Sequence, residues 1–306
     1  MSQDRQPSHP SAQRWIGRLA LAAILGIALA LGIDVVRAGG PGAWLARRGV
    51  PPPYVALGER VDIGGRAIYI DCRGEGSPTI VLDAGMGTGA EGWSTVHDDL
   101  AAMSRTCAYD RPGLGRSDPR GTHTLADTAA DLRAALQSAG EAPPFVLVGH
   151  SHGGDYVRVF TGRYHDEVAG IVLLDTFDPD LQTDWVNPLV GGALEPEYEA
   201  GLDSLRALVA DVEHLDWPES ERQMRDASLV GTSIEVLRAP RGEPRLDAAT
   251  NEALARAVIA AYDSLSPGRV RFEVAWGAGH LIQFDRPDLV IAATRRLVDA
   301  ARAGSR

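Results

Sequence analysis

From Glu59 onward the chain alternates between short apolar runs and stretches of helical period. "ERVDIGGRAIYIDCRGEG" alternates apolar and polar residues around Gly64-Gly65, which predicts a β-hairpin. "PTIVLDAG" (78–85) is continuously apolar, as a strand covered on both faces must be. "WSTVHDDLAAM" then has a helical period, and "RTCAYDRPGLGRSD" is a strand running into a Gly/Pro turn. "TLADTAADLRAALQSAG" (124–140) predicts an amphipathic helix ended by Gly140, and "FVLVGHS", "GGDYVRVFTGRYHDE" and "VAGIVLLDT" predict strand, helix and strand. The pattern breaks from about Phe177 to Thr232, where acidic helical pieces carry Trp185, Tyr198 and Trp217. It resumes with "SIEVLRA", a helix in "AATNEALARAVIAAYDSL", the strand "RVRFEVAW" and a last helix from about Pro287. Such alternation predicts an α/β fold, a mainly parallel sheet with helices on both faces. The interruption, about 55 residues long, is too long for a plain loop in a compact domain and is expected to be a helical cap over 177–232.

The N-terminal pattern is different. A polar start with Arg5 and Arg14 precedes "WIGRLALAAILGIALALGI" (15–33), which is apolar apart from Arg18 and has no polar face. Its length suits a membrane span with Arg18 snorkelling to the interface. The alternative is a signal peptide cut after Ala38, at Val36-Arg37-Ala38. Residues 1–38 are therefore expected to be an anchor or signal, 39–56 a Gly/Pro linker, and 57–306 the globular domain. Either export reading puts that domain outside the cytoplasm, because the positive flank stays inside. The rest of the composition is that of a folded globular chain, with 44% hydrophobic and 23% charged residues. A formal net charge of −11 leaves no basic surface for nucleic acid.

The chemistry centres on "FVLVGHSHGGDYVRVF" (145–160), which has two incompatible readings. His150, His152 and Asp155 resemble metal ligands. However, side chains before and after a serine in a tight strand-to-helix turn point apart, and the other histidines form no second cluster. Gly149-His150-Ser151-His152-Gly153 is also G-x-S-x-G between an apolar strand and a helix, the context of a nucleophile elbow. "GAGH" (277–280) places His280 in a Gly-rich loop after the last strand, where a general base is expected. Gly85-x-Gly87-x-x-Ala90, with Asp110 following, imitates a dinucleotide fingerprint. That reading leaves Ser151 and His280 unexplained. The loop fits an oxyanion hole better, with the backbone N–H groups of Met86 and His152 as donors.

"DAGMG", "DRPGLGRSD", "GHSHGG" and "GAGH", each following a predicted strand, together resemble the α/β-hydrolase superfamily of serine esterases and lipases over about residues 57 to 302. The resemblance implies an eight-stranded sheet with a cap inserted after strand 6, and a Ser-His-acid triad needing no cofactor and no metal. The family acid usually follows strand 7, where this chain has "PRGEPRLDAAT" and Arg245 at the expected position. Asp175, at the end of strand 6, is the expected acid by analogy with a group of haloalkane dehalogenases; Glu243 and Asp247 remain alternatives. In the implied sheet strands 2 and 4 are antiparallel neighbours, so Cys72 and Cys107 are expected to form a disulfide, with two buried thiols as the alternative. The function implied is hydrolysis of small-molecule carboxylic esters or related acyl compounds (thioesters, lactones and amides included) through an acyl-enzyme. A C–C hydrolase or peroxidase-like enzyme on this fold is one alternative, and a non-catalytic ligand-binding protein is another.

Overall fold

A computed structural model describes residues 54–176, 195–240 and 248–304. The apolar runs of the sequence become strands that share one sheet. In chain order these are β1 (Glu59–Asp62), β2 (Ala67–Arg73), β3 (Thr79–Asp83), β4 (Thr106–Tyr109), β5 (Phe145–His150), β6 (Val168–Leu174), β7 (Ile234–Arg238) and β8 (Val270–Val274). Their order is β1-β2-β4-β3-β5-β6-β7-β8. β2 is antiparallel to both β1 and β4, and every pairing from β4 to β8 is parallel. All residues of β3, β4 and β5 are buried. Burial of both faces explains why these strands are continuously apolar, whereas edge strand β1 is mostly exposed.

The helices are α1 (His97–Ala101), α2 (Leu125–Ser138), α3 (Gly153–Arg163), α4 (Glu195–Glu213), α5 (Trp217–Asp226), α6 (Ala248–Leu265), α7 (Ile282–Asp285) and α8 (Pro287–Gly304). Alternate residues along each strand supply separate cores. Val81, Leu147, Ile171 and Val236 pack with Leu132 and Leu136 of α2 and Val157 and Phe160 of α3. On the other face Ile80, Leu82, Val146, Val148 and Val172 pack with Leu100 and with Val290, Ala293 and Leu297 of α8. α2 starts at a capping box, in which Thr124 and Asp127 each satisfy the other's backbone N–H. The chain reverses after α2 at Gly140, with φ +79°.

β1 and β2 are joined by a turn in which Gly64 and Gly65 both have positive φ, +98° and +95°, the conformation a tight hairpin turn demands. Cys72 and Cys107 face each other in the β2/β4 register and are joined by a disulfide with Cα atoms 4.0 Å apart.

Between β6 and β7 the described part of the insertion is the helix pair α4 and α5. Leu215 and Trp217 at their junction are buried in the α2/α3 core, and a short parallel bridge joins Leu215 to His123. Of the cap aromatics, Trp185 lies outside the described residues, Tyr198 lies on α4, and Trp217 is buried. The apolar segment 15–33 also lies outside the described residues. Among the described residues no helix is long and apolar enough to cross a membrane.

Candidate active site

Ser151 follows β5 directly and α3 begins two residues later. The turn between them is so tight that Ser151 adopts φ +51°, a left-handed conformation costly for any residue with a Cβ. The flanking glycines are required by contact. A Cβ on Gly149 would stand 2.6 Å from the Gly153 carbonyl oxygen, and one on Gly153 would stand 2.1 Å from that of Asp83. Both lie inside van der Waals contact, so neither position admits a side chain.

The structure brings Ser151, His280 and Asp175 together. Nε2 of His280 lies 3.0 Å from the Ser151 Oγ, and Nδ1 lies 2.7 Å from Oδ2 of Asp175. Asp175 follows the last residue of β6 in another left-handed conformation, φ +45°. Its backbone N–H donates to the Leu237 carbonyl, and its Oδ1 accepts from the Ala239 N–H at 3.3 Å. Arg238 Nε stands 3.8 Å from the same oxygen. The carboxylate is buried while the His280 side chain is half exposed, so the imidazole can meet solvent or a substrate and its orienting acid cannot. Glu243 and Asp247 lie outside the described residues.

The two histidines beside Ser151 are engaged with different partners. His150 is buried, and its Nε2 donates to the His280 carbonyl at 2.9 Å, so it steadies the loop carrying the imidazole of His280. Burial brings its pKa down to about 4, outweighing the hydrogen bond that favours the charged form, and it is neutral at pH 7. His152 donates from Nδ1 to Asp155 at 2.7 Å and packs against Tyr156 and Trp217. The H-x-H pair therefore does not converge. Among the described residues the one group of three with metal-ligand atoms close together is Cys72, Cys107 and Glu141, whose sulfurs are bonded to each other.

The loop after β3 packs on the serine: a Cβ at Gly85 would stand 3.6 Å from that of Ser151. The N–H groups of Met86 and His152 donate to no described residue. Asp110, the acid of the dinucleotide-like pattern, is buried and accepts from the Ala90 and Arg116 N–H groups, bracing two loops.

Behind this loop lies a buried ionic cluster that nothing in the sequence pattern announced. Arg111 is wholly enclosed and spends all five guanidinium N–H groups. It donates to Asp83 Oδ1 (2.7 Å), to the Ala84 and Gly85 carbonyls (2.6 and 2.8 Å), and to both Glu213 oxygens (2.6 and 3.1 Å). Burial pushes Asp83 up to about 6, which the Arg111 and Tyr109 contacts reduce but do not cancel. Burial also pushes Glu213 up, but Arg111, His152 and the Gly87 N–H outweigh it and leave the pKa at about 2. "DRPGLG" marked Arg111 as part of a motif without revealing its partners, and nothing local marked Glu213.

A family model described as "alpha/beta hydrolase fold" matches residues 78–194. The uncharacterized protein YqjL of Bacillus subtilis is 32% identical over 104 residues, which cover 34% of this chain and 41% of YqjL. The chain thus matches about two fifths of that relative's length. A solved meta-cleavage product hydrolase from Pseudomonas fluorescens superposes with a TM-score of 0.54 at 16% identity, covering 81% of this chain and 100% of that one. A thermophilic esterase from Thermogutta terrifontis gives 0.51 at 21% identity, covering 79% and 97%. At these identities the likeness is one of fold.

Proposed function

From a chain with the α/β-hydrolase fold, we propose a serine hydrolase that cleaves small carboxylic esters through an acyl-enzyme. The observation that carries this reading is the connected line from Ser151 Oγ through His280 to Asp175. In the proposed reaction His280 Nε2 takes the Ser151 proton as Oγ attacks the acyl carbon, and buried Asp175 stabilises the imidazolium that forms. The Met86 and His152 N–H groups receive the negative charge that develops on the carbonyl oxygen. His280 then protonates the leaving alcohol, and water admitted to the same site releases the acid. None of these steps calls for a metal or cofactor. A serine nucleophile also separates this chain from the aspartate-dependent reactions of dehalogenases and epoxide hydrolases on this fold.

We also propose that residues 15–33 anchor the protein with this domain outside the cytoplasm. The apolar run supports this, as does the Cys72–Cys107 disulfide, a bond that persists in oxidising compartments. Mass spectrometry of the exported protein tests the anchor, which loss of residues 1–38 would exclude.

The activity is tested with p-nitrophenyl esters of graded chain length and a fluorophosphonate probe. Wild type is expected to turn over an ester and to be labelled, and Ser151→Ala to do neither. A wild type inert toward both would leave the fold as a ligand-binding protein.

A further inference from the structure

We propose that Glu213, at the last turn of α4 in the β6–β7 insertion, acts with Arg111 as a latch that holds the oxyanion loop, making both positioning residues for the reaction. The inference rests on the hydrolase reading above, with Met86 N–H as an oxyanion donor.

The Gly85–Met86 peptide carries the proposed donor. A trans peptide is planar, with its C=O and N–H pointing in opposite directions. The Gly85 carbonyl accepts from Arg111 Nη2 at 2.8 Å and from the Thr88 N–H at 3.1 Å. The Met86 N–H of the same plane is thereby turned away from the guanidinium, on a loop that packs against Ser151. Arg111 also holds the preceding carbonyl, Ala84, at 2.6 Å. The next peptide is held from its other end, where the Gly87 N–H donates to Glu213 Oε1 at 2.8 Å. The peptide groups on both sides of the proposed donor are thus tied to one ion pair.

The latch reaches across the fold. Arg111 lies just after β4, and Glu213 is 102 residues further on, in the insertion. A carboxylate in the last turn of a helix opposes the helix dipole, so Glu213 is unfavourable there without a cation. Arg111 supplies the cation, and the Tyr156 ring packs against the guanidinium, 4.7 Å from it. Val212 fixes the same helix end against the loop: a Cβ on Gly87, where φ is +66°, would stand 3.2 Å from the Val212 Cγ1. The Leu215–His123 bridge holds the chain just beyond. A change in how this helix end sits therefore acts on the donor peptide directly.

The test compares the full chain as wild type, Glu213→Ala and Glu213→Gln. It measures kcat and KM with p-nitrophenyl butyrate, the inhibition constant of an aryl trifluoromethyl ketone, and endpoint fluorophosphonate labelling to count competent sites. A loosened donor costs transition-state stabilisation more than ground-state binding. Glu213→Ala is expected to lose about tenfold or more in kcat per labelled serine, since a misplacement of about 1 Å at a reacting centre can cost about a hundredfold. KM should stay within about twofold, and ketone affinity should fall by the same factor as kcat. Glu213→Gln keeps an oxygen for Gly87 but loses the charge that holds Arg111, so it should fall between the two, about fivefold down. If Glu213→Ala does not fold, Glu213→Gln decides alone. Unchanged kcat and ketone affinity in the folded variants, or an effect confined to KM, overturns the latch while the hydrolase reading stands. A wild type inert toward ester and probe overturns both.

Discussion

Asp175→Asn exchanges one oxygen of the buried acid for an NH2 group, and the surroundings dictate which one. Oδ1 accepts from the Ala239 N–H at 3.3 Å and has Arg238 Nε at 3.8 Å, so an NH2 placed there would face two donors. The amide therefore keeps its oxygen at that position and presents NH2 to His280 Nδ1, 2.7 Å away. Nδ1 must then accept, which leaves the proton of the neutral imidazole on Nε2. That nitrogen, 3.0 Å from the Ser151 Oγ, can no longer take the serine proton. The substitution barely changes volume but installs the wrong tautomer and removes the charge that stabilises the imidazolium. The expected loss is about 10³- to 10⁴-fold in kcat, or about 4–5.5 kcal/mol of transition-state stabilisation. The assay is steady-state hydrolysis of p-nitrophenyl butyrate, normalised to labelled serine, for wild type, Asp175→Asn and Glu243→Gln. Glu243→Gln should stay within about threefold of wild type, because Asp175 already holds His280 Nδ1. If Asp175→Asn kept a tenth of the wild-type rate, or Glu243→Gln suffered the larger loss, the tautomer argument and the choice of acid would both fail.

Three further outcomes follow from the geometry. Ser151→Gly and Ser151→Ala should both be inactive, but the glycine variant should be more stable by about 1 kcal/mol in urea titrations, because φ +51° strains alanine and not glycine. Stability should also become more acid-sensitive because of buried His150, whose folded pKa of about 4 lies below the ordinary 6.5. The unfolded chain binds the extra proton between those values, so stability is present above pH 6.5 and lost as pH falls toward 4, by up to about 3 kcal/mol. His97 and His123, lowered chiefly by burial, add in the same direction, while Asp83, raised to about 6, opposes them. Comparing urea midpoints of wild type and His150→Gln at pH 7 and pH 4.5 isolates the His150 share, and equal losses in the two proteins would refute it. Replacing Cys72 and Cys107 by serine reopens a loop of 35 residues. It should cost about 2–4 kcal/mol, read as the difference between oxidised wild type and the variant, with none remaining when both are in reductant.

Much of the fold was legible because its signals are local. A strand buried on both faces has to be continuously apolar, so "TIVLD" and "FVLVG" announced central strands. A turn with no room for a Cβ has to be glycine, so Gly149 and Gly153 marked the elbow around Ser151. Gly140 marked the end of α2, because a C-terminal cap lies next to the helix it terminates. Other features became legible only through the sheet. Naming Asp175 required knowing that the end of β6 adjoins β5, and pairing Cys72 with Cys107 required that β2 lie antiparallel beside β4.

Tertiary structure alone decided how the side chains met. His150 read as one of a pair of possible metal ligands, whereas its buried imidazole holds the His280 carbonyl. Arg111 read as one letter of a turn motif, whereas the fold encloses it between Asp83 and a glutamate from the distant insertion. An ion pair imposes no period and no spacing on the residues between its members, so one spanning 102 positions leaves no local trace. Hydrophobic period and turn chemistry act within a few residues and are written along the chain. Charge pairing and the aim of a backbone N–H depend on which segments come together, and those exist only once the sheet and its insertion have assembled.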